Sequence, residues 1–244
     1  MKRNAFGQPL WVKRSLIRIF GAASWPRFNW KYEAEIEGAE VFQEVRDKNV
    51  LIVSNHQTYF ADVTFMFHVI QSAIAGKPNN IRFPGFLLAK KTNIYFVAAE
   101  ETMSKGFLPK LMRAGGAITV KRTWRKDGEN TKREVDPKDP EKVVTALNDG
   151  WVVSFPQGTT TPFVQGRKGT AHLIKQTEAL VVPVVIDGFR RAFDKKGLVK
   201  KKKGTTLKMQ VKEPLKINYD APVDDILHQI MDAIEQTEDF LMVK

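Results

Sequence analysis

The stretch NVLIVSNHQTYFADVTFMFHVIQSAI, residues Asn49–Ile74, decides how this chain is read. Its first part, Val50 to Val53, is an unbroken apolar run of strand length that ends in polar residues. Its second part, from Phe60 to Ile74, is long and apolar enough for a helix that packs on a core. A buried strand running directly into a helix is the opening of a βαβ unit. Between the two lie Asn55, His56 and Asp62, at the carboxyl end of the strand, where α/β sheets gather their chemistry.

The same alternation continues along the chain. WKYEAEIEG (30–38) alternates apolar and charged residues as a half-buried strand does. FPGFLLAK (83–90) is a strand candidate, MSKGFLPKLMRAGG (103–116) a short helix with a glycine stop, and GAITVKR (116–122) a strand. PEKVVTALNDG (140–150) reads as a helix, WVVSFPQG (151–158) as a strand, GTAHLIKQTEA (169–179) as a helix and LVVPVVIDG (180–188) as a strand. TTLKMQVKEPLKI (205–217) is a late strand and DDILHQIMDAIEQTEDFLM (224–242) a closing amphipathic helix. The expected fold is α/β, with a mostly parallel central sheet flanked by helices and an N-terminal amphipathic helical element. Pro183 inside LVVPVVIDG predicts an edge strand or a bulge. Thr123 to Asp139 is dense in both signs of charge and reads as an exposed loop.

Composition narrows the chemistry. With 244 residues the chain suits one large domain with an appendage, divided as 1–29 and 30–244. It has no cysteine, so disulfides, thiolate metal sites and cysteine nucleophiles are excluded. The four histidines lack the short spacings of zinc sites, and no protein metal site is expected. The net charge of +12 attracts anions without choosing among nucleic acid, anionic lipid and phosphorylated substrates. No apolar run reaches the length of a membrane span, and no signal peptide is expected at the N-terminus.

LWVKRSLIRIFGAASWPRF (10–28) predicts a basic amphipathic helix ending before Pro26, with Val12, Leu16, Ile19 and Phe20 on one stripe. Arg14 and Arg18 lie roughly opposite, and Trp11 and Trp25 near the ends. Such a helix can lie in a lipid interface or pack on the core with its arginines outward. The run Lys200, Lys201, Lys202, Lys203 is a solvated hairpin tip or a patch that meets anionic headgroups.

At the end of Val50–Val53, a histidine whose other ring nitrogen is held by a carboxylate can act as a general base. An aspartate near a helix start can equally be a cap. FPQGTTTPF (155–163) again follows a buried strand. Gly158 lets the backbone turn sharply or approach a ligand, and the threonines add hydroxyl donors.

Taken in order, NHQTYFAD, GAITVKR, FPQGTTT and VVPVVI resemble the four blocks of the glycerolipid and lysophospholipid acyltransferase family, NHxxxxD and FPEGTRS among them. The resemblance runs from about Val50 to Gly188, and within it GRKGTAHLIKQ is similar to the family's lysine–glycine segment after its third block. It implies transfer of an acyl group from coenzyme A or acyl carrier protein, as co-substrate, to a hydroxyl of a lysolipid acceptor, with no other cofactor. It implies His56 as general base, Asp62 as the group that orients it, and backbone donors around Gly158 for an oxyanion. Asn55, Thr58, Arg122, Gln157, Gly158, Thr159, Thr160, Arg167 and Lys168 are then the candidate substrate-binding residues. It further implies a membrane lipid surface as partner, met from the cytoplasmic face in peripheral or monotopic fashion. The contacts would be Trp11, Arg14, Leu16, Arg18, Ile19, Phe20, Trp25 and Lys200 to Lys203.

Three positions depart from the family pattern. Five residues separate His56 from Asp62, where the family has four. One added residue turns a helix by about 100°, so the pair meets only if the preceding turn absorbs it. Gln157 replaces glutamate, and Thr160 stands where the family has an arginine. These departures keep open a catalytically lapsed member that binds lipid or a partner. A nucleic-acid-binding protein rests on charge alone and lacks a recognition helix or RNA-binding signature. A serine hydrolase lacks its GxSxG elbow.

Overall fold

The computed structural model describes residues 2–30, 32–91, 93–103, 107–121, 125–126, 129–130 and 136–241. In chain order its elements are α1 (Leu10–Asn29), β1 (Glu33–Glu37), α2 (Val41–Glu44), β2 (Val50–Ser54), α3 (Ala61–Ile74), β3 (Ile94–Ala99), α4 (Glu100–Met103) and α5 (Phe107–Gly115). There follow β4 (Ala117–Val120), β5 (Arg125–Lys126), β6 (Glu129–Asn130), α6 (Lys138–Asp149), β7 (Trp151–Ser154) and α7 (Lys168–Thr177). The chain closes with β8 (Leu180–Asp187), α8 (Phe189–Ala192), β9 (Thr206–Val211) and α9 (Val223–Ala233).

Among the described residues seven strands form one sheet in the order β1-β9-β8-β2-β7-β3-β4, and β5 with β6 forms a separate pair. Every neighbouring pair in the large sheet is parallel except β8 with β9. Strands covered on both faces should be apolar throughout, and β2 and β7 are buried at every position. Alternation then splits the core. Val50 and Ile52 face α3 through Phe65, Met66, Val69 and Ile70, with Phe28 and Phe189 behind them. Leu51 and Val53 face α6, α7 and α9 through Leu147, Ile174, Ile226 and Ile230. The α/β expectation, a mostly parallel sheet flanked by helices, is met.

Two local expectations fail for physical reasons, and a third lies largely outside the described residues. FPGFLLAK is not a strand. Pro84 has no N–H for a ladder, and Gly85 lies against the backbone of Gln71 and Ser72 with no room for a Cβ. Residues 85–87 form a 3₁₀ turn, and the strand is the following IYFVAA. Pro183 does not mark an edge, since β8 lies between β9 and β2. Its ladder with β9 begins one residue later, at Val184 opposite Val211, so the missing N–H falls at the ladder's end. Its carbonyl still accepts from the Lys212 N–H at 2.9 Å. Of the charged loop expected at 123–139, residues 123–124, 127–128 and 131–135 lie outside the described residues, and α6 already begins at Lys138.

Helix α1 also differs from its reading. It runs through Pro26 to Asn29. The bond lost at Pro26 is to the carbonyl of Ala22, an exposed residue on the solvent side of the helix, where the loss costs least. The buried stripe is Lys13, Ile17, Gly21 and Phe28 rather than Val12, Leu16, Ile19 and Phe20. Ile17 packs on Phe86 and Ala89. Trp11 and Ile19 are about 60% exposed, at 59% and 62%, and Arg14 and Arg18 point the same way out. Leu87 and Leu88 are half exposed beside them, where Arg18 donates to the Leu87 carbonyl at 3.0 Å. Leu16 and Phe20 turn inward, and Trp25 donates its indole N–H to the Ile81 carbonyl, so these three do not face outward as expected. Among the described residues no helix is long and apolar enough to cross a membrane.

Lys13 is fully buried, with its ammonium 3.8 Å from the centroid of the Tyr95 ring and no hydrogen-bond partner. Burial pushes its pKa from 10.5 down to about 7, against a weaker upward pull from Asp149. Asp149 itself accepts the Tyr95 hydroxyl. Between about 7 and 10.5 the folded chain therefore binds less proton here than the unfolded chain, and stability rises with pH across that window. Lys13→Met is expected to flatten this rise and to stabilise the protein at pH 6 by about 1–4 kcal/mol. Urea unfolding at pH 6, 8 and 10 measures both effects.

Candidate active site

β2 and β7 are parallel neighbours in register, Val53 opposite Ser154, so the loops that follow them leave the same edge side by side. The first loop carries His56 and the second Phe155. Their rings stack with centroids 4.0 Å apart and planes 22° from parallel. On the other flank of β2, Asn55 clamps β8. Its amide donates to the Ile186 carbonyl at 2.9 Å, and its oxygen accepts the Ile186 N–H at 2.8 Å. Both ends of the Asn55 amide are thus spent on backbone.

His56 Nδ1 lies 3.0 Å from Asp62 Oδ2. The His56 side chain is 14% exposed and that of Asp62 fully buried. Asp62 also accepts the Gln57 N–H at 2.5 Å, the Thr58 N–H at 2.9 Å and the Thr58 hydroxyl at 2.6 Å. It is the second residue of α3, where the helix dipole favours a carboxyl group. The residue in excess of the family spacing lies in the non-helical turn 57–60, before the helix imposes any phase. The turn therefore absorbs it, and the two groups meet. With Nδ1–H directed at Asp62, the Nε2 lone pair of His56 is left to accept a proton from a ligand.

The second loop is a tight turn. Gly158 has φ of +64°, and its N–H donates to the Phe155 carbonyl at 2.9 Å. That N–H serves the turn, so an oxyanion donor around Gly158 would have to be another N–H of the loop. Gln157 is buried and donates to the Val164 carbonyl at 3.0 Å and to Gln236 Oε1 at 3.2 Å. The same Gln236 oxygen accepts the Phe163 N–H, which fixes its orientation. A glutamine suits this position because both partners are acceptors, which a carboxylate could not serve. Thr58 is likewise turned inward, onto Asp62. Thr159 bonds Thr161, and Thr160 is buried.

The expected cations are less well placed. Arg122 lies outside the described residues. Arg167 occupies the N-cap of α7, its N–H donating to the Pro156 carbonyl, and Lys168 pairs with Asp224 at the surface. Sequence reasoning missed Arg190. Its backbone N–H donates to Gln57 Oε1 at 3.1 Å and its Nη2 to the Thr160 carbonyl at 2.5 Å. It thus spans the two loops that hold the histidine and the glycine turn. The neighbouring Arg191 instead pairs with Asp187 at 2.7 Å. Burial disfavours the charged form of Asp187, but hydrogen bonds from Arg191, Gln57 and the Gly188 N–H outweigh it and hold the carboxyl below its ordinary value. His68, by contrast, is a core residue bonded to Ser24, and burial lowers its pKa to about 3.

An apolar cleft of about 750 Å³, open solvent at its mouth included, lies between α1, α3, α5 and the sheet. Leu16 and Phe20 of α1, Val63 and Phe67 of α3, Met112 of α5 and Val153 of β7 line it. Val63 follows Asp62 directly, and Val153 precedes Phe155 by two residues. No group of described residues could hold a metal ion.

Residues 33–187 match the sequence profile of the acyltransferase family. The fold is similar to that of the 1-acyl-sn-glycerophosphate (LPA) acyltransferase PlsC from Thermotoga maritima, with a TM-score of 0.58 and 17% identity over 95% of this chain and 80% of that one. No curated protein matches the chain. Gln157→Glu should set a carboxylate against the Val164 carbonyl and Gln236 Oε1 and cost about 1–3 kcal/mol. Chemical denaturation of the variant measures the loss.

Proposed function

The chain belongs to the acyltransferase family, and from that premise we propose that it moves a fatty acyl group from a thioester of coenzyme A or acyl carrier protein to the hydroxyl of a lysophospholipid-like acceptor at a membrane surface. The observation that carries this reading is the 3.0 Å contact of His56 with Asp62, at the start of a helix whose next residue, Val63, lines the apolar cleft. Acyl transfer to an alcohol needs a base for the hydroxyl and a dry place for the chain, and α3 contributes to both, through Asp62 to the first and Val63 to the second.

In the proposed reaction His56 Nε2 takes the proton of the acceptor hydroxyl as that oxygen attacks the thioester carbonyl. Asp62 holds the ring in the tautomer that leaves Nε2 free and stabilises the imidazolium that forms. Collapse of the tetrahedral intermediate breaks the carbon–sulfur bond. The leaving thiolate receives the proton from His56, so ester and free thiol are released with the enzyme unchanged. The apolar lining of the cleft, from Leu16 and Phe20 to Phe67, Met112 and Val153, suits a fatty chain. Preservation of the dyad removes the main reason for reading the longer spacing as a lapsed site.

Arg190 is the cation best placed for an anionic headgroup, because one of its five N–H donors is engaged by a neutral carbonyl and the guanidinium suits bidentate binding of phosphate or carboxylate. The exposed Trp11, Ile19, Leu87 and Leu88, flanked by Arg14 and Arg18, support a peripheral lipid contact on the cytoplasmic face. Lys200 to Lys203, exposed in the loop before β9, form the second proposed contact.

The test is a transfer assay with labelled acyl-coenzyme A and acyl carrier protein against lysophosphatidate, other lysolipids and acylated amino acids. His56→Ala should lower turnover by about 10²–10⁴-fold with an unchanged circular dichroism spectrum; unchanged turnover removes His56 from the mechanism. Arg190→Gln should raise KM for an anionic acceptor by about 10–100-fold, the worth of a charged hydrogen bond, and leave an uncharged monoacylglycerol unaffected.

A further inference from the structure

The loop after α8 makes contacts that the reaction itself does not require. Its base is anchored in the core. Phe193 is fully buried against Phe28 and Tyr32, and the Tyr32 hydroxyl donates to the Ala192 carbonyl at 3.1 Å. Beyond it the chain doubles back between Asp194 and Val199. Asp194 closes this loop, its Oδ1 accepting the N–H groups of Leu198 at 2.7 Å and Val199 at 2.8 Å.

The inner side of the loop is spent on the dyad turn. The N–H groups of Tyr59 and Phe60, both between His56 and Asp62, donate to the carbonyls of Lys195 and Lys196 at 3.0 Å each. Gly197, with φ of +75°, sits so close that a Cβ would lie 2.6 Å from the Ala61 nitrogen and 2.7 Å from Thr58 Oγ1. Thr58 is the hydroxyl that donates to Asp62. The outer side is different in kind. Leu198 and Val199 are 42% and 63% exposed, and Lys195, Lys196 and Lys200 to Lys203 surround them, all exposed. Arg27 near the end of α1 donates to the carbonyls of Gly197 and Leu198 at 2.9 and 2.7 Å. The loop is thereby joined to the helix that carries Trp11 and Ile19.

We propose that the 194–203 loop is a strut that reports an anionic bilayer to the dyad. Six lysines around an apolar tip fit a negatively charged lipid surface by charge and by insertion. Seating the tip steadies its inner carbonyls, and these hold the turn that sets Asp62 against His56. A larger fraction of molecules then has the competent geometry, and transfer quickens without any new contact to substrate. Gly197 is accordingly a positioning residue. This inference rests on the reading of His56 and Asp62 as the working pair.

The experiment measures the full chain on a short-chain acyl-coenzyme A and a short-chain lysolipid, both below their micellar concentrations. Turnover is recorded in buffer, with pure phosphatidylcholine vesicles, and with vesicles containing phosphatidylglycerol. Anionic vesicles should raise kcat of the natural chain by about tenfold or more, with KM for this soluble pair unchanged. The combined variant Leu198→Asn, Val199→Asn, Lys202→Gln, Lys203→Gln should keep the buffer rate and lose the stimulation, even at vesicle concentrations where sedimentation shows it bound. Gly197→Ala should lower kcat in buffer and leave KM unchanged. A natural chain indifferent to anionic vesicles, or a loop variant stimulated like it, overturns the proposal alone. Absence of turnover in buffer as well removes the reaction reading and this inference together.

Discussion

Parallel pairing of β2 with β7 on one side and β8 on the other is the constraint on which the rest of this molecule depends. It sends three carboxyl ends out of one edge of the sheet. The residues that follow, His56, Phe155 and Arg190, come from places far apart in the chain and have no other reason to meet. A one-residue slip of β2 would exchange its Val50–Ile52 and Leu51–Val53 faces, which are matched to different helices, so the register is strongly held. The loops inherit that precision. Asn55 then ties the first loop to β8 through two bonds to one residue, Ile186.

Asp62 shows how a buried carboxyl group is kept in place. Four donors converge on it, two of them backbone N–H groups and one the hydroxyl of Thr58, leaving the imidazole of His56 as the partner that faces a ligand. An uncompensated carboxyl at this depth would be costly, so the surrounding turn is specified by the need to satisfy it. The turn tolerates one residue more than the family spacing because its phase is set by these bonds and by the loop at 195–197, not by helical rotation.

Helix α1 meets two demands with two faces. Leu16, Ile17 and Phe20 wall the apolar cleft, while Trp11, Arg14, Arg18 and Ile19 look outward. The cost of seating the helix is the buried ammonium of Lys13, softened by the Tyr95 ring and by the charge of Asp149. Through Arg27 the same helix reaches the loop that braces the dyad turn, so the outer surface and the chemistry share one mechanical connection.

The sequence by itself determined the strand and helix periods, the α/β class and, through the order of its four blocks, the pair His56 and Asp62. Those signals are local, carried by apolar runs and by residues a few positions apart. Tertiary structure alone decided that the pair meets despite its spacing. It also decided that Gln157, Thr58 and Asn55 serve the loops rather than face a ligand, and that the inward stripe of α1 runs through Lys13 and Ile17. Arg190 and the 195–197 strut were invisible for the same reason: their partners lie some 30 to 140 residues away. No periodicity encodes a contact that exists only once the sheet has brought its strand ends together.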